Sequence, residues 1–368
     1  MKMLGLKSKP LAADKSDKIG RVLVFIYLAL FFCFLVLPLF ALMSKSMQNA
    51  EGIFVGLENF KVYLKDPALF KSFFHSLFVA FVSTVIVVCL GFLYAFALQC
   101  TCIPLKGFFR VVSLIPLLSP SILAAIALVY WFGNQGVFKE LLLGNSIYGP
   151  IGIIMASVYW TFPHALMILS TSLSLSDARL YEASDALKAS KLRTFFTVTI
   201  PGAKYGIIST TFVVFILVFT DFGVPKVIGG NYNVLATDIY REVVGMQNFQ
   251  MGAVISIVLL VPALLAFALD QFSRKRQASQ LTSRAVVYVP KPHKLRDNLL
   301  LCYCLLITAL VFLMLGMAQF GALVKFWPYN LSLTLNHYNF EVAGLGWDSF
   351  YNSVRMSLYA AFFGTIII

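Results

Sequence analysis

Residues 177–201 read DARLYEASDALKASKLRTFFTVTIP, a charged segment between two long apolar runs. Its apolar residues share one face of a short predicted helix: Leu180, Ala183, Ala186 and Leu187. Its charged residues share the opposite face: Glu182, Asp185 and Lys188. Asp177 is predicted to cap this helix, and Pro201 to stop a second helical run that begins near Ser190. Such a helix can lay an apolar stripe into a partner's groove, the alternative being an ordinary solvated helix between spans.

The composition of the 368-residue chain predicts an all-α polytopic membrane protein. Hydrophobic residues make up 60%, charged residues 12%, and the mean hydropathy is +0.84, far from the composition of soluble domains. A bilayer core of about 30 Å needs about twenty apolar residues per helix. The runs of that length are at about 21–43, 74–99, 109–132, 149–171, 204–220, 250–270 and 298–320. An eighth span is predicted to open near Val354 and to be cut off at Ile368.

Positive charge alternates along the chain, whose formal net charge is +13. Twenty Lys and Arg residues lie in the N-terminal tail and around residues 106–110, 177–204 and 274–296, whereas eight lie in the intervening loops. Because Lys and Arg accumulate on the cytoplasmic side, the tail of residues 1–20 and the 177–201 segment are both predicted to be inside. The spread of charge over several loops argues against a nucleic-acid partner.

Two polar landmarks recur at nearly one offset. SFFHS at 72–76 is echoed by SFYNS at 349–353, and LENF at 57–60 is echoed by LNHY at 335–338. We interpret this as a duplicated unit, although chance similarity between apolar sequences is the alternative. The predicted organisation is a first six-span unit at 21–272, a basic cytoplasmic linker at 273–297 and a truncated second unit at 298–368. Without a complete second unit, this chain alone is expected to be unable to transport.

The 177–201 segment resembles the cytoplasmic EAA loop of permease subunits of type I binding-protein-dependent ABC importers. The residues that carry the resemblance are Glu182, Ala183, Ser184, Leu187, Lys188, Ile200 and Pro201. Ser184 stands where the family has a second Ala, and Lys188 stands where it has Gly, which takes positive φ at little cost. The resemblance implies a permease in the bacterial inner membrane, a dimeric cytoplasmic ATPase docked at Glu182 and a periplasmic solute-binding protein.

Within that family, the DFGVPKVIGG segment from residue 221 and the fused arrangement are most similar to 2-aminoethylphosphonate transporter permeases, with ferric-iron permeases next. This resemblance implies import of a small polar solute. Asp221 and Lys226 would then suit an amine and a phosphonate. Tyr232 and His164 are further candidate contacts with solute or binding protein, the alternatives being a solvated loop and a hydrogen-bonded structural histidine.

The sequence contains no G-x-x-x-x-G-K-[ST] phosphate loop, so ATP hydrolysis is expected in a separate subunit and no cofactor is predicted. The six cysteines lack zinc spacing, so no metal site is predicted. An ion-coupled secondary transporter is the alternative class, and it is disfavoured because no acidic or basic side chain falls in mid-span. Pro116, Pro120 and Pro163 are predicted to break the third and fourth spans, the alternative being simple kinks.

Overall fold

The computed structural model describes residues 15–280, 286, 288–339, 341 and 346–367. The part of the chain up to Gln280 contains the helices α1 Lys15–Phe31, α2 Leu37–Ser46, α3 Glu58–Lys65, α4 Pro67–Cys100, α5 Lys106–Leu114, α6 Ser121–Phe132, α7 Pro150–Ser174, α8 Ala178–Ala186, α9 Lys191–Thr194, α10 Ile200–Gly202, α11 Lys204–Phe219, α12 Gly223–Ile228, α13 Leu235–Tyr240 and α14 Phe249–Gln280. After it come α15 Lys294–Leu323, the antiparallel hairpin of β1 Val324–Phe326 with β2 Asn330–Leu333, and α16 Gly346–Ile367. The fold is helical as predicted, and the hairpin is an addition to the prediction.

Within the described residues, five helices are long and apolar enough to cross a membrane, or up to seven spans if each bent pair counts as one. These agree with the seven runs predicted from hydropathy. The eighth differs, because α16 begins at Gly346 rather than near Val354 and does not meet the same criterion. Its first turns contain Asp348 and Arg355, which lower its hydropathy.

Proline breaks the third span but not the fourth. The run Lys106–Leu118 meets Ser121–Phe132 at 98°, around Pro116 and Pro120, so the break predicted there is confirmed. The prediction for Pro163 is wrong, since α7 continues through it as one helix. A single proline removes one backbone hydrogen bond, and the close packing of α7 along α4 holds the helix together.

The fifth span is also bent, since Lys191–Gly202 meets α11 at 64°. The helical run begins after Ser190 as predicted, but it continues past Pro201 to Gly202. The run thus ends one residue past Pro201, immediately before the bend, which confirms the predicted stop to within one residue. A π-helical turn at Phe195–Thr199 precedes this proline, and its wider spacing accommodates a ring that would clash in a regular α-helix.

The core of the bundle is made by α4, α7, α11 and α14. Small residues allow these helices to approach closely, as in other membrane bundles. A Cβ added to Gly91 of α4 would lie 3.3 Å from the Cβ of Ala165, and one added to Gly206 of α11 would lie 2.3 Å from the Cβ of Ser172. The helix α15 packs on α4, α5 and α6, whereas the apolar window of the first span is exposed throughout.

Candidate functional site

The segment predicted as a coupling loop folds into α8, a turn and the start of the fifth span. Asp177 caps α8, as predicted, because its Oδ1 accepts a hydrogen bond from the backbone N–H of Arg179 at 3.1 Å. Ser190 caps the next helix in the same way, with its Oγ 3.3 Å from the N–H of Arg193. Two side-chain caps thus define the beginnings of both helices.

Lys188 ends α8 in the left-handed conformation, with φ of +53°. Its N–H donates to the carbonyl of Asp185 at 2.9 Å, and the N–H of Ala189 donates to the carbonyl of Ser184 at 3.1 Å. This pair of hydrogen bonds is a Schellman motif, in which glycine is the usual residue at the left-handed position. Lys188 therefore adopts the left-handed conformation at the position where permeases with an EAA loop have glycine.

The buried face of α8 is formed by Ala178, Tyr181 and Ser184. The hydroxyls of Ser184 and Thr194 lie 2.7 Å apart, and Tyr181 donates from its hydroxyl to Thr199 Oγ1 at 3.1 Å. Burial raises the pKa of Tyr181 to about 12, which keeps that hydroxyl protonated. Sequence reasoning missed this face, although hydroxyl residues at 181, 184, 194 and 199 were a usable signal because buried hydroxyls need partners.

The opposite face of α8 is exposed. Leu180 is 55% and Leu187 83% exposed, and Glu182 and Ala183 are exposed beside them. The adjacent helical run adds Leu192 and Phe196, which are 73% and 63% exposed. We call this exposed set, which includes Glu182, the outward face. Ile200 lies partly buried and Pro201 exposed at the far end of the run.

Asp185 lies between the two faces and holds two ammonium groups. Its carboxylate oxygens are 2.9 Å from Lys191 Nζ and 3.0 Å from Lys291 Nζ. The hydrogen bond from Lys191 and then that from Lys291 hold the pKa of Asp185 below its usual range. Asp185 is thus paired within the chain, whereas Glu182 forms no ion pair among the residues that the structure describes. The pairing with Lys291 joins α8 to the residues before α15.

Asp221, one of the four candidate solute contacts, has hydrogen-bond partners within the chain. Asp221 Oδ2 accepts from the N–H of Val224 at 3.0 Å, and Asp221 Oδ1 accepts from the hydroxyl of Ser121 at 3.1 Å. These bonds join the start of α12 to the start of α6, at the break in the third span. Asp221 therefore has a structural role, and its contact with solute stays a prediction.

The other three candidates each contact a different aromatic or histidine ring: Lys226, Tyr232 and His164. The Lys226 ammonium lies 4.4 Å from the ring centre of Tyr240, and Tyr232 stacks on His75 at 3.7 Å. His164 meets Trp160 edge to face at 5.8 Å. Its Nδ1 is buried and has no hydrogen-bond partner within the described part of the chain. Among the four candidates, His164 alone has this unsatisfied atom.

Both the sequence and the fold of this chain are similar to those of known transport proteins. Residues 103–279, which include α8 and the outward face, match the family model described as "Binding-protein-dependent transport system inner membrane component". The ferric transport system permease protein FbpB of Actinobacillus pleuropneumoniae is 29% identical over 281 residues, covering 73% of this chain and 40% of that protein. A second protein of that name, FbpB 1 of Haemophilus influenzae, is 27% identical over 96% of this chain and 58% of its own length.

The chain therefore spans about half the length of these curated relatives. Among solved structures, a bacterial alginate ABC transporter bound to a periplasmic protein superimposes with a TM-score of 0.55 at 14% identity. That similarity covers 74% of this chain and 98% of the other, and at this identity it shows the fold alone. Over residues 103–279 this chain is therefore similar to the binding-protein-dependent transport system inner membrane components, and its fold is similar to that of a bacterial ABC transporter.

Proposed function

We propose that the chain is the membrane-spanning component of an ATP-driven importer, and that α8 receives mechanical work from a separate cytoplasmic ATPase. The observation that carries this proposal is the outward face, where Leu180, Leu187 and Glu182 are all exposed on a helix capped at both ends. Apolar side chains grouped around a charge are typical of a docking site for a partner. The positive-inside rule puts this face and the N-terminus in the cytoplasm.

We further propose that residues 21–272 form one permease unit and that residues 298–368 begin a second, joined by a linker at 273–297. Both echoed landmarks occupy comparable positions. SFFHS lies within the first three turns of α4, after α3, and SFYNS lies within the first three turns of α16, after the β1–β2 hairpin. A complete second unit would supply a second coupling loop, so that each subunit of a dimeric ATPase would meet one loop.

For the solute, the named relatives favour ferric iron over 2-aminoethylphosphonate, because both are ferric transport permeases. The internal partners of Asp221 and Lys226 also weaken a paired amine and phosphonate site. Uptake of radiolabelled Fe³⁺ and of radiolabelled 2-aminoethylphosphonate, each measured with the matching periplasmic protein, would decide between them. Uptake that survived ATP depletion and collapsed with the proton gradient would instead favour a secondary transporter.

The main test is Glu182→Lys in the assembled transporter. Reversing the charge of this exposed residue of the outward face should reduce ATPase co-purification and ATP-dependent uptake at least about tenfold, as expected for an interface residue that carries much of the binding energy. Glu51→Lys, an exposed site in the loop before α3, is the matched control and should leave both unchanged. Retention of the ATPase and of uptake in Glu182→Lys would overturn the proposal.

A further inference from the structure

We propose that residues 286 and 288–293, which we call the linker brace, position α8 and connect its movement to α15. This rests on the proposed function of α8 as the helix that receives work from the ATPase. The linker was predicted only as a basic connection between units. In the structure, its last part lies against the buried side of the coupling loop, and α15 begins directly after it at Lys294.

The first contact is made by the backbone. The N–H of Ala178 donates to the carbonyl of Val286 at 2.9 Å. Ala178 is the first residue of α8, and the first N–H groups of a helix have no acceptor within it. The brace supplies that acceptor, in addition to the cap that Asp177 gives to Arg179. The beginning of the coupling helix is thus completed by a segment more than a hundred residues away in sequence.

The second contact is aromatic. Tyr288 stacks on Tyr181 with ring centres 4.0 Å apart and planes inclined by 26°. Tyr181 is only 8% exposed and its hydroxyl is bonded to Thr199, so this ring has a fixed position. Stacking on a fixed ring restricts Tyr288 as well, because offset aromatic pairs have a preferred geometry.

The remaining contacts fix the far end of the brace. Lys291 Nζ lies 3.0 Å from Asp185 Oδ2, and the carbonyl of Lys291 accepts from Arg296 Nη2 at 2.9 Å. Pro290 and Pro292 flank this lysine and stiffen the segment. The Lys291 side chain is 75% exposed, and exposed ion pairs contribute little. The tyrosine stack and the backbone bond are therefore expected to hold the brace.

The brace and the outward face occupy opposite sides of α8. Tyr181 points to the brace, whereas Leu187, at 83% exposure, is free to meet a partner. An ATPase pushing on the outward face would therefore not displace the brace. The push would pass through Tyr181 and Tyr288 to Arg296 and α15, the first helix of the proposed second unit.

The test uses Tyr288→Ala in the complete transporter with its ATPase and binding protein. Hydrogen–deuterium exchange of peptides covering residues 177–187 should become roughly tenfold faster. The variant removes the stack between Tyr181 and Tyr288, and the hydrogen bond from the N–H of Ala178 to the carbonyl of Val286 is expected to be lost with it. The solute imported per ATP hydrolysed should fall, while the ATPase stays bound. Tyr288→Phe keeps the stacking surface and should restore both values. Val289→Ala, at a neighbouring position that is 77% exposed, is the matched control.

Exchange and coupling in Tyr288→Ala equal to those of Val289→Ala would overturn the brace, even if Glu182→Lys releases the ATPase. Failure of the proposed function gives a different pattern. The ATPase would then stay bound to Glu182→Lys, while the exchange of residues 177–187 would still respond to Tyr288→Ala. Faster exchange in Tyr288→Ala with an unchanged ratio of solute to ATP would also overturn the coupling to α15.

Discussion

Lys188 adopts the left-handed conformation at the end of α8, and a side chain in that conformation lowers the stability of the folded chain. A non-glycine residue in the left-handed region costs about 1–2 kcal/mol, part of which is offset because glycine loses more entropy on folding. At φ of +53°, Lys188→Gly should therefore raise the free energy of unfolding by about 0.5–1 kcal/mol. Thermal unfolding of the purified chain in detergent measures this. Leu143→Gly, also left-handed at φ of +50° but outside the coupling loop, should give a similar gain, and a loss of stability in Lys188→Gly would contradict the argument.

At the scale of elements, α8 depends on its N-cap. Asp177→Ala removes the acceptor for the N–H of Arg179, and loss of such a cap costs about 1 kcal/mol. We expect lower thermal stability and faster hydrogen exchange across residues 177–187. Asp177→Asn retains a capping oxygen and should stay close to wild type. Equal exchange in the alanine and asparagine variants would show that the cap does not stabilise α8.

The elements also show what the sequence could predict. Hydropathy located the seven long runs because the bilayer sets helix length directly, and the loop at Glu182 followed from local pattern and resemblance. The break predicted at Pro163 failed because the effect of a proline depends on the helices packed around it, whereas the stop predicted at Pro201 held to within one residue. The contact between Tyr181 and Tyr288 joins residues distant in sequence, and a spacing pattern holds no information about such a pair.

At the scale of the whole molecule, the bundle depends on close approach between α7 and α11. A Cβ at Gly206 would lie 2.3 Å from both Cβ and Oγ of Ser172, atoms too close to their backbone to move away. Gly206→Ala should therefore separate the two helices and lower the free energy of unfolding by about 1–3 kcal/mol, the usual cost of overpacking. Gly316→Ala in α15 is the control, because nothing lies within 4 Å of the added Cβ and alanine favours the helix by up to about 1 kcal/mol. Thermal unfolding in detergent should rank Gly206→Ala below wild type and Gly316→Ala at or above it. The reverse order would mean that α11 is not held against α7 by this contact, and that the bend before it is not anchored in the core.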